Sequence, residues 1–309
     1  MAILSELRYP TTRLAKLFSA ILALILFVVV SITAVSGFLL YQILRPARNP
    51  STADLGIMMG QPATFSFSIP GEPDRDGWFF PGLRGAPTIV VCHGYMSQRT
   101  EVLTLASALQ EHQYNVFLFD FAGHGATPGV TTLGYKETTE LRAAVQALSK
   151  RDDVDPAHFG LWGIDMGGYA VLAVAESDPR IAAFVVDNAY PDPLFMVETQ
   201  VKRSGLSVLP AVTRFTDFGF RVINHVDRNE PPITKRLART AGVPKLFIQT
   251  DDRPALENAT LQIYLQAPEP KQTIRQHTSY SEMSDDDRHA YENQLVSFFL
   301  SNLPAAPRH

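Results

Sequence analysis

Five residues, Gly163-Ile164-Asp165-Met166-Gly167, constrain this chain more than any other stretch. They lie between an apolar run ending at Trp162 and a small-residue segment, Gly168-Tyr169-Ala170, that opens well as a helix. A central residue with a glycine two positions away on each side, between a strand and a helix, is the pattern of a nucleophile elbow. The glycines permit a very tight turn, and the central side chain is lifted to the edge of a sheet. Such a turn needs a buried strand before it and a helix after it, hence a layered α/β architecture. The central position usually holds serine; here it holds Asp165.

The rest of the chain supplies those layers. Residues 63–68 and 76–80 predict a hairpin, separated by Pro70-Gly71-Glu72-Pro73. Residues 88–92 and 116–119 are continuous apolar runs, expected of strands buried on both faces of a parallel sheet. Helical patterns over 101–112 and 137–149 alternate with them. Further strands are expected at 181–186, 245–248 and 272–275, and a C-terminal amphipathic helix at 287–303, stopped by Pro304. This alternation predicts a doubly wound, mostly parallel sheet. The stretch between Asp187 and Lys245 is several times the usual connection and reads as a small helical cap at about 190–240.

The N-terminus differs from everything after it. No charged residue occurs from 17 to 44, and the composition there is mostly Leu, Ile, Val, Phe and Ala. That exceeds the ~20 residues needed to span a bilayer and the ~7–15 of a cleavable signal core. Ala34-Val35-Ser36 would serve as a cleavage site, yet apolar residues continue past it, which favours an uncleaved transmembrane helix. Arg8, Arg13 and Lys16 precede the span while Arg45 and Arg48 follow it, weakly favouring a single-pass protein with its main domain outside the cytoplasm. The expected organisation is a membrane anchor over 1–45 and an α/β domain over 46–309, joined by a short linker rich in proline. A net charge of −4 offers no footprint for nucleic acid. The single cysteine, Cys92, lies in an apolar run and reads as a buried thiol.

Several stations agree with the turn at Asp165. His93-Gly94-Tyr95 follows the first parallel strand, where an oxyanion-binding amide is expected. Thr250-Asp251-Asp252 follows the penultimate strand, where a triad acid would sit, and His277 follows the last strand, where a general base would. With Asp54-Leu55-Gly56, Gly77-Trp78-Phe79, Gly134-Tyr135-Lys136-Glu137 and Asp165-Met166-Gly167-Gly168, these residues make the chain resemble the α/β-hydrolase superfamily. Within it, the chain is similar to the membrane-anchored, serine-aminopeptidase-like and bud-emergence-like hydrolases, which carry serine at the position of Asp165.

The resemblance implies an α/β-hydrolase fold acting on a small ester-, amide- or alkyl-type substrate. It places Asp165 at the nucleophile position, His277 as base and Asp251 as its orienter, with the Tyr95 and Met166 amides as the oxyanion hole. Asp252 and Asp187 are alternatives for the acid. A carboxylate suits displacement at saturated carbon better than attack on an ester carbonyl, which would give a mixed anhydride. An Asp-nucleophile dehalogenase or epoxide hydrolase is therefore a further alternative. The tryptophan such dehalogenases carry beside the nucleophile is replaced by Met166, and the expected cap contains only Tyr190 of the paired tyrosines of epoxide hydrolases.

A non-catalytic binding protein that has lost its serine is the other class of reading, with Asp165 as an ordinary helix N-cap. His93 and His124 read as loop-shaping residues. Asp285-Asp286-Asp287 reads as the start of the last helix. No zinc-type spacing is present, and Gly123-His124-Gly125 lacks the dinucleotide fingerprint, so neither metal nor cofactor is expected.

Overall fold

The computed structural model describes residues 12–48, 50, 62–225 and 230–305. Asp54-Leu55-Gly56 and part of the expected linker lie outside the described residues. The chain divides into two compact units. One holds the N-terminal helix up to Ile43 together with Val197–His225; the other holds Leu44–Met196 and the chain after residue 225.

The larger unit is built on an eight-stranded sheet. Its strands are β1 (Ala63–Phe67), β2 (Arg75–Phe80), β3 (Thr88–Cys92), β4 (Asn115–Phe119), β5 (Phe159–Ile164), β6 (Ile181–Asp187), β7 (Lys245–Thr250) and β8 (Lys271–Gln276). Their order across the sheet is β1-β2-β4-β3-β5-β6-β7-β8. The β1–β2 hairpin and the β2–β4 pair are antiparallel, and every pair from β4 to β8 is parallel. The expected doubly wound sheet is therefore present. β3, β4, β5 and β7 are buried along their whole length, which is why apolar residues occupy consecutive positions in them rather than alternating ones.

Helices fill the connections. In chain order they are α1 (Arg13–Leu44), α2 (Leu103–Glu111), α3 (Tyr135–Leu148), α4 (Met166–Ala175), α5 (Pro193–Arg203), α6 (Pro210–Ile223), α7 (Pro254–Gln266) and α8 (Asp285–Asn302). The connection after β3 opens with a 3-10 turn, Arg99–Val102, so its α-helix starts later than the sequence pattern suggests. Proline heads α7, where its missing N–H costs nothing. Ser284 caps α8 by accepting the Asp287 N–H at 3.2 Å, and all three consecutive aspartates fall in the first turn, where the helix dipole favours them.

The chain passes from β3 to β4 on one side and to β5 on the other, so the strand order reverses between β3 and β5. A crevice outside the carboxyl ends of strands at such a reversal is where open α/β sheets bind ligands. Register brings the relevant ends level: Cys92 pairs with Gly163, Ile164 with Asp187, and Thr250 with Gln276. Asp165, Asp187, Asp251 and His277 thus leave the same edge.

In the smaller unit, α1 is 32 residues long. Among the described residues it is the one helix long and apolar enough to cross a membrane. Most of its apolar side chains are exposed, but Ser36, Leu39, Leu40 and Ile43 are buried. α6 covers this face: Ser36 Oγ donates to the Val212 carbonyl at 3.2 Å, and Gly219 sits against Leu40. The segment expected as a cap is helical, with α5, α6 and 3-10 turns at Leu206–Val208, Ile233–Lys235 and Leu237–Thr240. It is not one body, however. Val197–His225 groups with α1, and the described residues from 230 onward group with the sheet.

Candidate functional site

β5 delivers Asp165 into a strained turn. Its backbone sits at φ 48° and ψ −109°. That region is sparsely populated for a residue with a side chain and costs on the order of 1–3 kcal/mol. Two backbone bonds hold it there: the Asp165 N–H donates to the Asp187 carbonyl at 2.9 Å, and its own carbonyl accepts the Tyr169 N–H at 2.9 Å, opening α4. The flanking glycines are sterically obligatory. A Cβ on Gly163 would lie 2.5 Å from the carbonyl of Gly167, and one on Gly167 would lie 2.6 Å from the carbonyl oxygens of both Cys92 and His93. α4 is thereby pressed against the end of β3.

Asp165 occupies the N-cap position of α4 but makes no capping hydrogen bond with its side chain. The carboxylate turns instead toward Arg253, whose Nη1 donates to Oδ2 at 2.8 Å. Asp165 is 2 % exposed and the Arg253 side chain 29 %. The carboxylate beside it is the largest influence raising the Arg253 pKa above its ordinary value. Asp187 lies next to it, completely buried, and accepts the Tyr291 hydroxyl at 2.8 Å. Burial pushes its pKa up to about 7; the Tyr291 hydrogen bond opposes this and the charge of Asp165 adds to it. Tyr291 also accepts the Trp162 indole N–H at 3.2 Å, so a polar thread runs from the core through α8 to the sheet edge.

His277 lies elsewhere. Its side chain is 98 % exposed, with Nδ1 3.2 Å from Asp251 Oδ2. Asp251 also accepts Arg275 Nε at 2.5 Å, and Arg275 pairs with Glu257 at 2.7 Å. The Arg275 hydrogen bond, followed by that of His277, holds the Asp251 pKa below the usual carboxylate range. Asp252 is occupied differently, accepting both the backbone N–H and hydroxyl of Ser279 at 2.8 Å. The structure therefore groups Asp165 with Arg253 and Asp187, and His277 with Asp251. The imidazole stands in solvent rather than over Asp165.

The loop after β3 backs directly onto the carboxylate. A Cβ on Gly94 would come 3.1 Å from Asp165 Oδ2. His93 is wholly buried and bonded on both ring nitrogens: Nδ1 contacts the Gly94 carbonyl at 2.8 Å, and Nε2 accepts the Phe121 N–H at 3.0 Å. That pattern fixes a neutral imidazole with Nδ1 protonated, and burial drives its pKa down to about 4. His93 thus shapes the loop. Tyr95 follows Gly94, and Met166 heads α4, so the two amides expected to bind an oxyanion belong to residues adjoining Gly94 and Asp165. The N–H groups of a helix's first turn have no intrahelical acceptor.

Two buried glutamates of α3 lock the neighbouring loops. Glu140 accepts Arg75 Nη2 at 2.8 Å and the Ala122 N–H at 3.0 Å. Glu137 accepts the Thr131 hydroxyl at 2.6 Å and the Gly134 N–H at 2.7 Å. Arg253 and Tyr291 are the participants that sequence reasoning missed. Arg253 carries no motif, and its partner is distant in sequence; only its place after β7, beside Asp251 and Asp252, pointed toward the site.

Residues 87–225 match a family model described as alpha/beta hydrolase fold. The chain is 27 % identical over 238 residues to the uncharacterized protein YfhR of Escherichia coli O157:H7, covering 74 % of this chain and 76 % of that one. Among solved structures it resembles the Pyrococcus furiosus esterase Pf2001, with a TM-score of 0.66 and 17 % identity over 84 % of this chain and all (100 %) of that one. It also resembles the alpha/beta hydrolase GrgF from Penicillium sp. sh18, with a TM-score of 0.60 and 17 % identity, covering 78 % of this chain and 99 % of that one.

Proposed function

Because the chain is a member of the α/β-hydrolase superfamily, we propose that it is a membrane-anchored hydrolase of small ester-, amide- or alkyl-type substrates, working through Asp165. The observation that carries this reading is the strained Asp165 backbone, at φ 48°, with its carboxylate held against Arg253 at 2.8 Å. A turn that had become purely structural would have no reason to keep a side-chain-bearing residue in a costly conformation without using it as a cap.

The chemistry that fits a carboxylate is displacement at saturated carbon. Asp165 Oδ attacks, the carbon–leaving-group bond breaks, and the leaving group departs with the electron pair. An alkyl ester remains on Asp165, and water attacking its carbonyl releases the alcohol and regenerates the carboxylate. For that step His277, held by Asp251, has to leave its exposed position and reach the water at Asp165, where it takes the proton while the Tyr95 and Met166 amides hold the oxyanion. Arg253 fills a gap left by the sequence: its guanidinium stands 2.8 Å from Asp165 and offers donors to the departing anion. With Asp165 only 2 % exposed, substrate entry requires that Arg253 swing aside. α1 is the uncleaved anchor; the packing of Ser36 and Leu40 on α6 favours its retention beyond the Ala34-Val35-Ser36 site. The domain then lies on the far side of the membrane from the N-terminus.

One observation favours a second reading, a ligand-binding protein without turnover: the 98 % exposure of His277 leaves the base away from Asp165. Full-length protein in detergent, screened against esters, epoxides and haloalkanes, separates the two. Catalysis predicts turnover by the wild type and an Asp165 adduct trapped in His277→Ala, read by peptide mass. No turnover and no adduct, with ligand still protecting the protein thermally, would establish the binding reading.

A further inference from the structure

α6 carries two apolar faces, and the fold uses only one. At 100° per residue, Val212, Thr216 and Phe220 fall on one arc; they are buried. Ala211, Phe215, Phe218 and Val222 fall on another, with Phe215 41 %, Phe218 67 % and Val222 50 % exposed. Arg214 and Arg221 lie just beyond this second ribbon and are exposed. The preceding turn adds Val208 and Leu209, also exposed. An apolar ribbon bordered by arginines is the composition of a helix lying in a membrane interface.

The packing of α6 on α1 sets its depth. Counting ~20 residues from Leu17, the length needed to cross the hydrocarbon, places the far boundary near Ser36. The residues of α1 that α6 contacts include Ser36 and Leu40. With ~1.5 Å of rise per residue, they occupy the first ~6 Å past that boundary, the layer of headgroups and upper acyl chains. α6 is thus held where its unused ribbon meets lipid. The segment Val197–His225 carries Lys202, Arg203, Arg214 and Arg221 against Glu198 and Asp217, an excess of cations suited to an anionic surface.

From this we infer that α6 is a second, interfacial membrane contact: its Phe215–Phe218–Val222 ribbon is seated among the acyl chains of the leaflet that α1 exits, with Arg214 and Arg221 on lipid phosphates. The occupant of the ribbon is lipid, and this inference rests on α1 being a membrane anchor.

Site-directed spin labelling tests this in full-length protein reconstituted in phosphatidylcholine–phosphatidylglycerol vesicles. Cys92, the only native cysteine, is wholly buried and does not compete for label. Labels go on Phe218→Cys, Val222→Cys as a second ribbon position, and Leu24→Cys in α1. The expected result is that both ribbon labels collide several-fold more with oxygen than with an aqueous nickel chelate, as Leu24→Cys does. If Leu24→Cys is itself open to nickel, the anchor reading fails and takes the inference with it. If Leu24→Cys is in lipid while both ribbon labels are open to nickel, the inference alone is overturned. Ribbon labels shielded from both reagents, with spin–spin broadening that vanishes on dilution with unlabelled protein, would show a second copy on the ribbon and also overturn it.

Discussion

Arg253 and Asp165, brought together from the loops after β7 and β5, form an ion pair of 2.8 Å at the point where the sheet reverses its strand order. The guanidinium takes the direction in which a capping interaction or a histidine contact would otherwise draw the carboxylate. Two loops of the candidate site are thereby tied together by one contact.

A double-mutant cycle on Asp165→Asn and Arg253→Met measures that tie. Removing one partner leaves the other charge poorly compensated. With Arg253 29 % exposed, each single change is expected to cost about 1–3 kcal/mol. The double variant should lose less than the sum, with a coupling of about 1–3 kcal/mol by denaturant titration. Strict additivity would show that the pair is energetically idle.

Asp187 predicts a particular slope of stability with pH. Its folded pKa is raised to about 7, above the unfolded value of ~3.9. Between those values the folded state binds more protons, so stability falls as pH rises from about 4 to 7, by up to ~1.4 kcal/mol per pH unit. Asp187→Asn removes this contribution, and its stability relative to wild type should climb across the same interval. Glu140, also raised to about 7, chiefly by burial, keeps part of the slope in both proteins. Urea midpoints at half-unit pH steps provide the measurement; parallel curves would contradict the assignment.

Gly167→Ala should damage the turn despite the gain in helix propensity that alanine brings. The new methyl would meet two carbonyl oxygens at 2.6 Å, so α4 must shift away from β3. An overpacking cost of about 1–3 kcal/mol is expected, together with loss of any Asp165 chemistry. A variant with wild-type melting and turnover would refute the close approach.

His277→Ala separates chemistry from structure. Because the imidazole is 98 % exposed, its removal should change stability by no more than ~0.5 kcal/mol. Under the hydrolase reading, deacylation should nevertheless slow by ~10²-fold or more, seen as accumulated adduct. Unchanged kinetics would assign the base elsewhere.

The sheet was legible because strands buried on both faces have to be apolar throughout, as Val90-Val91 and Phe117-Leu118 are. The hairpin was legible from its prolines. The turn at Asp165 announced itself through Gly163 and Gly167, whose Cβ atoms would collide with backbone. Arg253 was not legible: an arginine after a strand is ordinary, and its meaning arises only when the loop folds back to a carboxylate 88 positions away. The expected cap was half legible. Its helices were anticipated, but the division between a segment that joins α1 and one that joins the sheet depends on which apolar face of α6 is packed. A pattern of hydrophobic residues does not distinguish a packed face from an unpacked one.

Tyr291 gives the candidate site a place in the chain's biosynthesis. The hydroxyl that steadies Asp187 is supplied by the last helix, whereas Asp165 and the loop after β3 belong to the first half of the domain's translation. A chain made only through β8 still lacks this hydrogen bond. The surroundings of Asp187 are completed only once α8 has been made and has docked, so a folding intermediate without α8 holds this carboxyl with one partner fewer.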